Sequence, residues 1–147
     1  MALASILLLY LGIGCLAALG TVTITRQQLS PRGEQLLFSL LLIPIAALYL
    51  AFVDYFQSPG ALRVELWGAL GFAALGLLGT RASLLMVVGY ALHGGWDLAH
   101  EIVAHRIANA GNPSALTPIP LAYGVFCAAY DWCIAGYIYV RRQQWRT

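Results

Sequence analysis

Residues 90–105 read YALHGGWDLAHEIVAH, an apolar stretch that carries five ionisable side chains: His93, Asp97, His100, Glu101 and His105. On a helix turning about 100° per residue, His93, Asp97, His100 and Glu101 fall within an arc of about 100°. Leu92, Ala99 and Val103 fill the opposite side. The pattern predicts one long helix with a polar stripe along a single face. Three of the six acidic residues of the chain lie between His93 and Asp131, with Arg106 as the lone arginine in that interval.

The surroundings of this stretch set the fold class. The chain has 147 residues, 61% of them hydrophobic and 10% charged, well below the roughly 25% charged residues of a soluble domain. It has no lysine; all eight basic residues are arginine. The length suits one domain. These features predict an all-α, polytopic membrane protein, a bundle of five transmembrane helices near residues 2–24, 35–56, 64–80, 82–105 and 118–140. Each is long enough, at about 1.5 Å per residue, to reach across most of a ~30 Å hydrocarbon core. The first segment has no Lys or Arg before its apolar run and is expected to be a retained anchor. The third is short and rich in glycine (Gly68, Gly71, Gly76, Gly79), the composition of a close-packing helix.

Arginine placement predicts orientation and excludes a class of partner. Arg26, Arg32, Arg81, Arg141, Arg142 and Arg146 fall on one side of the five-span arrangement, Arg63 and Arg106 on the other. By the positive-inside rule the N-terminus is outside and the C-terminus cytoplasmic. The arginines sit at segment ends and form no basic stripe, so nucleic acid is not an expected partner. The bilayer is, together with a lipophilic small molecule, a membrane-complex partner or a second copy of the chain. Cys15, Cys127 and Cys133 all lie in apolar segments and read as small buried hydrophobes, not as a disulfide framework.

At membrane depth an ionisable group is costly and points to function. His93 falls near the midplane of the fourth segment, and Asp131 at a similar depth in the fifth. The stripe Gly124, Cys127, Ala128, Asp131 and Ala135 lets the fifth segment press on the fourth and bring Asp131 to His93. Asp54 matches His100 and Glu101 in height, though Asp54 and Glu65 also suit outer headgroups, as does His105. Three chemistries fit the cluster. His93, Asp97, His100 and Glu101 form a candidate metal set, and imidazole with carboxylate suits zinc, iron or manganese. His93, Asp97, His100 and Asp131 form a candidate catalytic set for metal-assisted or metal-free acid–base work. The third possibility is structural, with buried pairs such as His93–Asp131 fixing helix register. The spacing His100-Glu101-x-x-x-His105 turns its histidines about 140° apart and is not a zinc-protease signature.

Residues His93-x-Gly95-Trp96-Asp97-x-x-His100, with Cys127-x-x-x-Asp131 further on, resemble a bacterial integral-membrane family of unknown function. Such proteins carry an H-x-G-W-D-x-x-H helix and a later C-x-x-x-D helix. The resemblance spans roughly residues 89–138 and marks His93, Gly95, Trp96, Asp97, His100, Cys127 and Asp131. Glu101 departs from it, standing where the family pattern has a second histidine. A looser likeness is to the small bundles of the emopamil-binding and sterol-isomerase type. Two functions follow as expectations. One is an intramembrane enzyme acting on a lipid or isoprenoid-like substrate; the other is a non-catalytic subunit or assembly factor of a membrane complex.

Overall fold

The computed structural model describes residues 2–110 and 115–145, with the side chains of 104–110 left aside. The expected headgroup position of His105 therefore lies outside the described side chains. The fold is all-α, with five helices: α1 (Ala2–Gln28), α2 (Pro31–Tyr55), α3 (Leu62–Gly79), α4 (Ser83–Ala110) and α5 (Tyr123–Arg141). A short 3-10 turn, Pro59–Ala61, leads into α3.

Two helix starts differ from expectation for local reasons. α2 begins at Pro31, ahead of Gln35, because Ser30 caps it: the Ser30 hydroxyl accepts from the Gly33 amide at 3.2 Å. Proline in the first turn loses no helical hydrogen bond. α5 starts only at Tyr123, beyond the expected Pro118. Pro118 and Pro120 lack amide protons, and Ala122 turns the chain with a left-handed backbone (φ 62°).

Among the described residues, three helical stretches are long and apolar enough to cross a membrane: Ala2–Gln28, Pro31–Tyr55 and Pro59–Gly79. Five spans were expected; these three meet the measure by length and composition, and α4 and α5 fall short of it. α4 and α5 hold their length, but histidine, carboxylate and tyrosine side chains dilute their apolar runs. Large apolar side chains face outward on the three apolar helices, among them Leu8, Leu16, Leu19, Leu48 and Leu70.

α5 packs between α1 and α4, and α3 packs between α2 and α4. Small residues set these contacts. A Cβ on Gly76 would stand 2.6 Å from the Ser39 carbonyl oxygen of α2, and one on Gly14 would stand 2.3 Å from that of Phe126 on α5. On the α4–α5 face a Cβ on Gly124 would meet the Asp97 carbonyl oxygen at 2.4 Å. At the Gly94-Gly95 pair only Gly94 is a contact, against Trp132; nothing lies within 4 Å of a Cβ on Gly95. Phe38, Leu42, Met86, Tyr90, Ile134 and Ile138 form the buried core between these helices. The Tyr90 hydroxyl donates to the Phe38 carbonyl at 2.8 Å, so its polar end is satisfied.

Candidate metal centre

The polar arc of α4 is real, but its members face different partners. His93 is 2% exposed and turns toward α5, where its Nδ1–H donates to Asp131 Oδ2 at 2.6 Å. This is the pairing expected from the small-residue stripe on α5. One helical turn further on, Asp97 brings Oδ2 to 3.2 Å from the same nitrogen. Its other oxygen accepts from the hydroxyl of Tyr49 on α2. The ligand atoms of His93, Asp97 and Asp131 all lie within 4.8 Å of one another, and all three residues are buried.

One proton cannot satisfy two carboxylates. The Nδ1 proton is directed at Asp131, and Asp97 Oδ2 is left buried with no hydrogen-bond partner, as is His93 Nε2. Unsatisfied buried polar atoms are rare and call for an explanation such as an ion or water. Burial works against charge on the His93 ring, but the hydrogen bond to Asp131 and the negative charge of Asp97 beside it outweigh this and hold its pKa up. Burial also pushes the Asp131 carboxyl upward.

His100 and Glu101, placed in the metal set by sequence, are turned elsewhere. His100 Nε2–H donates to Glu65 Oε1 at 2.8 Å, and its Nδ1 faces the Trp96 carbonyl at 2.9 Å. Both ring nitrogens are thus engaged away from the triad, by Glu65 and by the Trp96 carbonyl. Glu101 holds the start of α5, with Oε1 accepting from the Ala122 amide and Oε2 from the Gly124 amide, each at 3.0 Å. A carboxylate suits that place, where unpaired amides carry partial positive charge. Of the four residues read as catalytic, the structure brings together His93, Asp97 and Asp131 and sets His100 apart with Glu65.

Several participants were not legible as such. Glu65, expected at outer headgroups, is 1% exposed; it accepts from His100 and from the Thr117 amide at 2.8 Å. Asp54, proposed as a partner by height, is exposed. Tyr49 takes the role of partner from α2 and lies between the two histidine groups, its ring centroid 4.2 Å from that of His100. At the far end Glu34 is fully buried and gathers the Tyr137 hydroxyl, Arg141 Nε at 3.2 Å and Trp145 Nε1 at 3.0 Å. Trp145 is thus 8% exposed and hydrogen-bonded.

A cavity of about 210 Å³ opens on the triad from between α2 and α5. Leu41, Ile45, Leu48 and Phe126 form its apolar wall, and Tyr123 and Cys127 stand beside the carboxylates. Burial pushes the Cys127 thiol up, which keeps it neutral. The cavity and triad share residues on α4 and α5, and neither helix is among the three stretches apolar enough to cross a membrane. The sequence expectation of an intramembrane cluster is corrected on this point. The intramembrane enzyme acting on a lipid or isoprenoid-like substrate rested on that placement and falls with it.

No curated protein and no solved structure matches the chain. Residues 12–144, nearly the whole sequence, match the family of unknown function DUF6010, and the chain belongs to that family.

Proposed function

We propose that the protein binds one divalent transition-metal ion between α4 and α5, held by His93, Asp97 and Asp131. The observation that carries this is a buried triad of one imidazole and two carboxylates in which Asp97 Oδ2 has no partner. Ligand atoms about 2.1 Å from a cation and 90–109° apart stand about 3.0–3.4 Å from one another. The 3.2 Å between His93 Nδ1 and Asp97 Oδ2 falls in that range, and the 2.6 Å to Asp131 opens to it once the shared proton leaves. Two carboxylates and a neutral imidazole balance a divalent charge, so the filled site is neutral, which suits its burial.

One nitrogen and two oxygens suit zinc, iron(II) or manganese(II). The ion would supply a Lewis acid beside the cavity that His93, Asp97 and Asp131 line. Tyr49 would orient Asp97 by its hydrogen bond, as partners behind metal ligands do. Leu41, Ile45 and Leu48 would limit access of water.

The test is metal content. Protein purified in neutral detergent, stripped and reloaded with zinc, manganese or iron(II), should retain close to one equivalent of one of them, and the Asp131→Asn variant should not. Fewer than about 0.1 equivalent from all three metals would leave the triad as a hydrogen-bonded clamp between helices. The 2.6 Å His93–Asp131 bond favours that second reading.

We infer further that the end carrying Arg26, Arg32, Arg81, Arg141 and Arg142 faces the cytoplasm. The hydrogen bonds of Arg32 to the Thr80 carbonyl and of Arg141 to Glu34 support one common end for these arginines.

A further inference from the structure

A second cavity lies at the arginine-bearing end and is built from residues other than those of the triad. It measures about 320 Å³ and is walled by Arg32 and Gln35 of α2, Arg81, Ser83 at the start of α4, and Trp145. Its polar lining is rich in proton donors, and the Gln35 carbonyl oxygen is already taken by Arg32. Arg32 Nη1 donates to Gln35 Oε1 at 2.9 Å and to the Thr80 carbonyl at 2.6 Å. The Gln35 amide nitrogen donates to the Gly79 carbonyl at 3.2 Å. These bonds consume the carbonyls that end α3 and hold the Arg32 guanidinium in place, with Nε and Nη2 left over.

Three further donors have no partner among the described residues. The Arg81 guanidinium pairs with no carboxylate. The buried acid Glu34 of α2 is already engaged by Tyr137, Arg141 and Trp145. The Ser83 side chain is 7% exposed, makes no hydrogen bond and borders the cavity. Ser83 and Leu84 also open α4, and first-turn amides have no helical acceptor. An unpaired hydroxyl, the positive end of a 28-residue helix and two guanidinia thus converge on one space.

We propose that this cavity is an anion site that takes a phosphate monoester group. Arg81 and the free edge of Arg32 would clamp the phosphate oxygens, Ser83 and the α4 amides would donate to a third, and guanidinium groups suit that geometry. The same chemistry is presented by a soluble phosphorylated molecule and by a phosphatidic-acid headgroup. The site is independent of the metal reading.

The experiment is calorimetric titration of the full-length protein in neutral detergent, stripped of metal so that phosphate has no cation to bind at His93. The probes are inorganic phosphate and dihexanoyl phosphatidic acid. Saturable one-to-one binding of at least one probe is expected, about tenfold weaker in Arg81→Gln and several-fold weaker in Ser83→Ala. Arg63→Gln, in the first turn of α3 and so at its opposite end, should bind as the parent does. Tighter binding of phosphatidic acid would identify a headgroup, and equal or tighter binding of inorganic phosphate a soluble ligand. No saturable binding of either probe, or binding unchanged in both Arg81→Gln and Ser83→Ala with normal melting temperatures, would overturn the proposal.

Discussion

Replacing Asp97 by asparagine separates metal binding from packing. The amide keeps the oxygen that accepts from Tyr49 and nearly the same shape, and it removes the negative charge on the unpartnered Oδ2. With metal at 100 times its Kd, binding stabilises the parent by about 2.7 kcal/mol. For a chain of this size each kcal/mol moves Tm by about 2–4 °C, so the parent should gain about 5–11 °C on loading. Loss of a charged ligand should weaken binding at least as much as the tenfold to hundredfold typical of supporting residues. At the same metal concentration the gain falls to about 1.4–0.4 kcal/mol, or about 1–6 °C. Without metal the asparagine variant should melt no lower than the parent, because one His93 ring cannot offset two buried carboxylates and the excess negative charge has gone. The assay is thermal unfolding with and without metal, alongside metal content on the same samples. An Asp97→Asn protein that shows the full metal-induced shift would refute the assignment of Asp97 as a ligand.

His93→Ala and Asp131→Ala should be coupled by about 0.5–3 kcal/mol in a double-mutant cycle of stability, whereas additivity would deny the hydrogen bond between them. Gly124→Ala places a Cβ 2.4 Å from the Asp97 carbonyl and 2.8 Å from Glu101 Cβ, so it should cost about 1–3 kcal/mol in thermal unfolding. Gly95→Ala, with nothing within 4 Å, serves as the control and should melt like the parent. Metal uptake must displace a proton from His93, whose raised pKa makes the proton a stronger competitor; affinity should therefore fall as pH is lowered, with protons released on loading, and pH-independent titrations would contradict His93 ligation. A reporter active only in the cytoplasm, fused after Thr147, should be active; activity confined to the outer compartment would reverse the orientation.

The pairing of His93 with Asp131 was legible because two independent patterns agreed, the polar arc on α4 and the small-residue stripe on α5. The separate destinations of His100 and Glu101 were not. Helical periodicity says which residues share a face, but an arc of about 100° can address two neighbouring helices at once. Here His93 and Asp97 meet α5 and α2, His100 reaches Glu65 on α3, and Glu101 reaches the start of α5. Glu65 carried only a weak local signal, an acid in the first turn of a glycine-rich helix. Tyr49 carried none, since an aromatic in an apolar run is usually core. Of the five expected spans three are apolar enough by length and composition, and the polar side chains that α4 and α5 devote to each other lower the hydropathy of the other two.

The grip of Glu101 on the Ala122 and Gly124 amides acts as a fixed datum for the metal centre. From Glu101 back to His93 is eight residues of helix, about 12 Å, and from Gly124 on to Asp131 is seven, about 10.5 Å. The two helices thus form the long sides of a frame, closed at one end by a carboxylate on two amides and at the other by His93 and Asp131. The near-equal sides set the height of Asp131 independently of how many residues join α4 to α5. Lengthening that connection should leave the site intact, but adding one residue between 124 and 131 would swing Asp131 by about 100° and dismantle it.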